Sequence, residues 1–380
     1  MNKTLEAAFV FAGTIIGAGV LALPSFIAKT GFIYGTLLIF IIGSAVLIVA
    51  LMLGEVVLRT KEPHQLPGLA EKYAGKRISN LAAAFTMLAI YGALIAYIQG
   101  CGLVLSEFLG LPLQLAKILF FVPVTAIVYF GIKGVEESET ILTSIMVLCL
   151  VAISVGALFF FEPSNIVARD FSEILLPIGV LVFALEGLPA IPQMNEILWE
   201  EKKSLMKSII IGFSIPLVLY TFFCFASIGA LGTDISEIAT MSLSRFGGFF
   251  MIFGSLFALL AMSTGFISLS NALSETYSED LKFGKISSWA LACFVPLIVL
   301  TAANIFMPTL NFAQIVAYTG ILFTGPYYII TVYTFHKARK SGDRVPEYEL
   351  KIPDYLTRMM LLIFLVFSVW AFWTTFSPLI

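Results

Sequence analysis

Eleven stretches of this chain are each long and apolar enough to cross the hydrocarbon of a bilayer as a helix. They lie at roughly 5–28, 32–58, 79–108, 112–132, 140–161, 172–198, 206–232, 243–276, 286–305, 310–336 and 355–378. A crossing needs about 20 apolar residues, because within lipid only intrahelical hydrogen bonds satisfy the backbone. The breaks between runs carry turn residues, as in Thr60 to Pro67, Glu162-Pro163-Ser164-Asn165 and Arg339 to Pro353. Membrane-spanning strands would leave a period of two, and uniform runs such as Phe249–Leu260 have none. The sequence therefore predicts an all-α polytopic membrane protein with eleven transmembrane helices.

Composition agrees. Of 380 residues, 59% are hydrophobic and 12% charged, against about 45–50% and about 25% in a soluble domain. A soluble enzyme, a disordered chain and a nucleic-acid binder are all disfavoured, and the net charge of −2 offers no basic patch. Cys101, Cys149, Cys224 and Cys293 all fall within predicted spans, and their spacing matches no metal site. His64 and His336 lie in or beside loops, so no intramembrane proton relay, haem or catalytic constellation is expected. The chain is not expected to be an enzyme.

Orientation follows from the distribution of lysine and arginine. With the N-terminus inside, 18 of the 22 basic residues fall on the cytoplasmic side. Only Lys29, Lys117, Arg169 and Arg245 fall outside, while Lys133 is among the inner eighteen. The expected topology is N-terminus in the cytoplasm and C-terminus outside, in a multi-pass protein of the cell membrane. The first run lacks a strongly basic start and reads as a structural span rather than a cleavable leader.

Two runs are poor material for an unbroken helix. The first reads Gly13-Thr14-Ile15-Ile16-Gly17-Ala18-Gly19 and continues to Leu23-Pro24; the sixth reads Phe183-Ala184-Leu185-Glu186-Gly187-Leu188-Pro189. Glycine costs about 1 kcal/mol and proline about 3 kcal/mol relative to alanine in a helix interior. Residues 1–161 and 172–336 would each contain five crossings, an odd number, so the second set starts from the opposite side. Interrupted helices leading both halves point to a transporter with an inverted repeat and a site between its unwound segments. Residues 337–380 would add a cytoplasmic loop and the eleventh helix. Close helix packing by small residues is the plainer alternative.

Such a site has a definite chemistry. A half-helix starting near Gly19 and Val20 presents free amides and a positive dipole end, which suit a carboxylate. Glycine lets that ligand approach the backbone. A half-helix ending near Val182–Ala184 presents carbonyls and a negative end, which suit an ammonium. Together they describe a receptor for a zwitterion such as an α-amino acid, bound around Ile16, Gly17, Ala18, Gly19, Tyr97, Phe183, Ala184 and Glu186. Tyr91, Tyr97, Phe183 and Ser268 are candidates for its side-chain pocket, with Phe183 as a lid.

The Gly13–Gly19 run followed by Leu23-Pro24 resembles the first helix of amino-acid/auxin permeases, within the amino acid–polyamine–organocation superfamily. Ala96-Tyr97-Ile98-Gln99-Gly100 is similar to that family's third helix, and Phe183-Ala184-Leu185-Glu186-Gly187 to its sixth. His64 to Tyr73 fits the loop after its second helix. The resemblance covers nearly the whole chain, and the bacterial aromatic amino-acid permeases are one nearby branch. It implies a LeuT-type fold of five plus five helices with helices 1 and 6 discontinuous. It also implies a monomer in the lipid bilayer that takes up an amino acid by cation-coupled symport and alternating access. A neutral, aromatic or hydrophobic substrate is favoured. A small amine or nucleobase transporter on the same fold, or an ion channel, are the alternatives.

No cofactor is expected beyond a coupling ion, and two are open. A proton would ride on Glu186, since an intramembrane carboxylate is a functional candidate by default. The plainer reading is a structural Glu186 bonded to unwound backbone. Sodium, by the resemblance, would be held by carbonyls of Gly13, Ile16 and Leu260 and by hydroxyls of Ser263 and Thr264. The plainer reading there is that both hydroxyls bond back to their own helix. The lysine that some proton-coupled relatives carry in the fifth helix is absent, since 140–161 contains no Lys or Arg. Glu55, one turn before Arg59, is expected to snorkel or to bridge helices.

Overall fold

A computed structural model describes residues 2–130, 134–167, 175–280 and 282–376. Lys133 and Arg169, which enter the topology count, lie outside the described residues. The described chain is helical throughout its long elements: α1 (Lys3–Ile15), α2 (Gly19–Thr30), α3 (Phe32–Arg59), α4 (Leu66–Ala74), α5 (Lys76–Leu109), α6 (Leu113–Phe130), α7 (Gly134–Ala157), α8 (Pro177–Ala184), α9 (Ala190–Ile197), α10 (Leu205–Leu231), α11 (Ala239–Leu243), α12 (Gly248–Glu275), α13 (Lys285–Phe306), α14 (Phe312–Thr319), α15 (Gly325–Ser341) and α16 (Asp354–Phe376).

Among the described residues, eight helical stretches are long and apolar enough to cross a bilayer, and α1 with α2 make a ninth if that pair, bent by 62°, is one span. The two other expected runs coincide with the α8–α9 pair and with α16. Faces turned away from the bundle carry bare hydrocarbon, as at Val122 on α6 and Ile298 on α13, 58% and 64% exposed. Such exposed apolar faces are what a membrane-spanning helix presents outward.

Three boundaries differ from expectation, each with a local cause. The eighth run is not one helix from 243; Leu243 ends α11, Gly247, at φ +126°, interrupts the path, and α12 starts at Gly248. The loop after α3 contains α4, whose Leu66, Leu69, Ala70 and Tyr73 form one buried face at helical spacing. The tenth run changes pitch through a π-turn at Gly320–Thr324 between α14 and α15. Pro326, two residues on, lacks the amide that would continue the regular ladder.

Polar pins organise the helix ends. Glu55 is completely buried and bridges helices, accepting Arg59 Nε at 3.0 Å, Arg339 Nε at 3.3 Å and the Leu350 amide at 2.7 Å. It thereby straps the α15–α16 connection across the end of α3. Tyr348 donates to Leu51 O at 2.7 Å in the same strap. Lys72 and Asp343 form an ion pair there, which holds the Asp343 carboxyl below its ordinary range and the Lys72 ammonium above its own.

The helix α1 lies along α10. Ser208 Oγ donates to Thr4 O at 2.9 Å, Gly212 lets α10 approach Ala8 O, and Phe213 meets Phe11 at 6.4 Å. The i, i+4 repeat of small and polar residues on α10 sets this close contact.

Candidate functional site

Both interruptions expected from sequence are present. The first comprises Ile16, Gly17 and Ala18, between α1 and α2. Ile16 leaves the helix in an extended conformation, and its amide returns to Ala12 O at 2.9 Å. The helix α2 then begins at Gly19 with no side chain capping its N-terminus. The second comprises residues 185–189, between α8 and α9. Pro189 and Pro192 flank the start of α9, where missing amides cost no helical bond.

The interruptions cross each other. A Cβ built on Gly19 would lie 2.5 Å from Ala184 Cα, and one on Gly187 would lie 2.5 Å from Ile15 Cγ1 and 2.8 Å from Phe11. The amide end of α2 therefore meets the carbonyl end of α8, while the end of α1 meets the second break. Gly17 differs from both glycines. A Cβ there would meet only the Tyr97 hydroxyl at 3.9 Å and its own neighbour's Ile15 O at 4.0 Å. Space beside Gly17 is thus open, with a phenol hydroxyl at its edge.

Backbone partners narrow what can bind. At the end of α8, Leu181 O and Phe183 O accept the amides of Leu185 (3.0 Å) and Glu186 (3.2 Å). Val182 O receives only the long contact of the Tyr328 hydroxyl at 3.5 Å, so both it and the Ala184 carbonyl can take an incoming donor. The positive end of α9 is occupied from within, since Glu186 Oε1 accepts the Leu188 amide at 3.2 Å. The α2 end is thus the one without an internal anion. Glu186 Oε2 is buried without a hydrogen-bond partner, and among the described residues no ion pair includes this carboxylate.

Other candidates fall in different places. Tyr97, 7% exposed, packs its ring against Gly265 of α12 and its hydroxyl toward Gly17. Phe183 is half-buried beside the second break. The Tyr91 hydroxyl is committed elsewhere, to Tyr277 Oη at 2.5 Å and Leu291 O at 3.1 Å, so its hydroxyl is not a free pocket group. Ser268 is exposed on α12. Gly13 faces Thr143 of α7, whose Oγ1 would lie 2.8 Å from an added Cβ. Thr264 Oγ1 donates to Leu260 O at 2.8 Å, the plain helix-internal reading. Ser263 is half-buried, one residue before it.

Two tyrosines were missed from sequence. Tyr220 on α10 is fully buried, and its hydroxyl donates to Ile15 O at 2.7 Å, satisfying a carbonyl stranded where α1 ends. Tyr328 on α15 turns its hydroxyl toward Val182 O at 3.5 Å and adjoins the Glu186 carboxyl. A phenol in the middle of an apolar run was the available signal, because a buried tyrosine hydroxyl requires a partner.

Beyond the crossing lies a cavity of about 480 Å³, lined by Ser25, Lys29, Gly179, Glu237, Gln314 and Tyr318 among others. Ser25 is six residues along α2 from Gly19, roughly 9 Å at the helical rise. Glu237 reaches the cavity from the loop before α11 and accepts the Phe312 amide that opens α14. Burial pushes its carboxyl above the ordinary range, against the opposing pull of backbone donors.

The tryptophan/tyrosine permease family matches residues 1–373. The chain belongs to this family. A tyrosine-specific transport system of Haemophilus influenzae is 27% identical over 371 residues, covering 91% of each chain. Glutamine transporter 2 of Aliivibrio fischeri is 26% identical over 330 residues, covering 83% of this chain and 85% of the relative. Among solved structures, MhsT in complex with L-phenylalanine superimposes with a TM-score of 0.69 at 16% identity, over 96% of this chain and 98% of that one. This likeness establishes the fold, the LeuT-type architecture expected from the resemblance. The family and these relatives are named as permeases and transporters, not as enzymes.

Proposed function

We propose that this permease is a secondary active transporter that carries a neutral α-amino acid into the cell by cation-coupled symport and alternating access. The observation that carries the reading is the crossing of the two breaks. The uncapped amide end of α2 meets the carbonyl end of α8, and open space at Gly17 lies beside both. The substrate carboxylate binds the amides at Ala18 and Gly19 beside the open space at Gly17, and the ammonium binds carbonyls at Val182 and Ala184. Relatives named for tyrosine and for glutamine differ in side chain but share these two charged groups. A backbone receptor for the common part fits that pattern, with an aromatic or hydrophobic side chain favoured by Tyr97 and Phe183.

The topology that goes with this reading has eleven crossings. Residues 1–161 and 172–336 form two five-helix repeats of opposite orientation, and 337–380 add a loop and the last helix. The bias of basic residues supports a cytoplasmic N-terminus and an external C-terminus. The 480 Å³ cavity then opens outward, and the Glu55 strap lies on the inner face. The protein acts as a monomer.

A proton is the coupling ion favoured by the geometry. A buried carboxylate oxygen with no partner is costly unless it holds a proton or a cation, and Glu186 Oε2 is such an atom at the second break. For sodium, the Thr264 hydroxyl is already engaged by its own helix, and Gly13 is turned to Thr143. Uptake by purified protein in liposomes tests the reading. Accumulation of a neutral amino acid under an inward proton gradient supports it, and accumulation driven by sodium alone replaces Glu186 by the Ser263–Thr264 site.

A further inference from the structure

The charged residues that line the 480 Å³ cavity are Lys29 and Glu237. They come from different elements, Lys29 from the last turn of α2 and Glu237 from the loop before α11. Among the described residues no ion pair includes either of them. The Lys29 ammonium stands 5.7 Å from the centroid of the Phe26 ring. Glu237 Oε2 accepts the Phe312 amide, which fixes the carboxylate at the start of α14. The neighbouring Asp234, by contrast, is paired with Arg245. One cation and one anion on the wall of a cavity, not joined to each other, are complementary to a ligand that carries both charges.

We propose that Lys29 and Glu237 form an outer recognition site for a zwitterion, with the substrate carboxylate on Lys29 and its ammonium on Glu237. This rests on the zwitterion reading above and on the cavity opening outward. The polarity matches that of the crossing. Lys29 and Gly19 belong to one helix, ten residues or about 15 Å apart at the helical rise, so α2 is the carboxylate side at both levels. The ammonium side runs from Glu237 along α14, where Gln314, Ala317 and Tyr318 line the cavity, to α8, whose Gly179 packs on Ala317 O. An amino acid thus enters already oriented for the lower site.

The pair determines specificity for charge rather than for side chain. An amine without a carboxylate faces the Lys29 ammonium unmatched, and an acid without an ammonium faces Glu237. The volume of the cavity leaves room for side chains as different as a phenol and a carboxamide.

The experiment is uptake of L-tyrosine and of L-glutamine in proteoliposomes, with tyramine as competitor, for the wild type, Lys29→Gln, Lys29→Glu, Glu237→Gln and Gly17→Ala. Glutamine at 237 keeps an oxygen for the Phe312 amide and removes only the charge, so α14 stays capped. Lys29→Gln and Glu237→Gln should each raise KM about two- to tenfold, with a smaller change in kcat. Tyramine has the ammonium and no carboxylate, so it should inhibit Lys29→Glu at about tenfold lower concentration than the wild type. Wild-type KM in both neutral variants, with tyramine inhibition unchanged in Lys29→Glu, would overturn the outer site. If Gly17→Ala still weakens uptake in that case, the zwitterion reading at the crossing stands. If the wild type takes up neither amino acid, both fall.

Discussion

Gly19 and Ala184 approach so closely that a Cβ on the glycine would lie 2.5 Å from the alanine Cα. This contact joins the amide end of one half-helix to the carbonyl end of another. Dipole ends of opposite sign are thereby brought to one point within a low-dielectric bundle, where each is strong. Gly17, two residues earlier, faces space instead.

The two glycines should therefore fail differently. Gly19→Ala overpacks the contact with Ala184, and such changes cost about 1–3 kcal/mol. Its melting temperature in detergent should fall together with uptake. Gly17→Ala makes no contact closer than 3.9 Å and should melt like the wild type, but its methyl occupies the space beside the amides. Losing one charge-assisted bond there weakens substrate binding by about ten- to a hundredfold. Equal melting temperatures and equal uptake for both variants would contradict the assignment.

Tyr220→Phe removes the hydroxyl that donates to Ile15 O while leaving the ring in its buried place. An unsatisfied buried acceptor costs about 1–3 kcal/mol. Thermal unfolding should shift downward, and the KM for uptake should rise with the protein still in the membrane. An unchanged KM would mean that the position of the first break does not depend on this bond.

Glu55→Ala leaves Arg59 and Arg339 without their buried partner and frees the Leu350 amide. Breaking a buried pair from one side typically costs about 3–5 kcal/mol. The yield of folded protein should drop sharply, and limited proteolysis should cut the 342–353 strap faster than in the wild type. Intact resistance to cleavage would show that the strap is held by other contacts.

Much of this architecture was legible in the sequence because lipid imposes a simple rule. Length and apolarity located the helices, and Gly17, Gly19 and Pro189 marked the breaks within a residue or two. What was hidden depended on packing between distant segments. The phenol of Tyr220 sets it apart from the phenylalanines of its run, but which carbonyl it serves lies at Ile15, 205 residues away. Tyr91 looked like a pocket residue for the same reason, and its bond to Tyr277 is equally non-local. Glu55 was read as snorkelling or bridging; burial decides for bridging. The helix α4 and the π-turn at 320–324 escaped notice because a short amphipathic helix and a single-turn change of pitch leave weak periodic signals.

Thr264→Ala separates the two coupling ions. Its hydroxyl serves its own helix at Leu260 O, so under proton coupling its removal should leave uptake within about twofold of the wild type. If the hydroxyl is a sodium ligand, uptake should collapse, and high sodium should partly restore it.

The most direct test is accumulation of neutral α-amino acids, tyrosine and glutamine included, by purified protein in liposomes under one gradient at a time. An inward proton gradient without sodium should concentrate at least one of them above the external level, and Glu186→Gln should abolish that concentration. A sodium gradient at equal pH should concentrate none. Accumulation driven by sodium alone, or wild-type concentration by Glu186→Gln under the proton gradient, would contradict proton coupling at the second break.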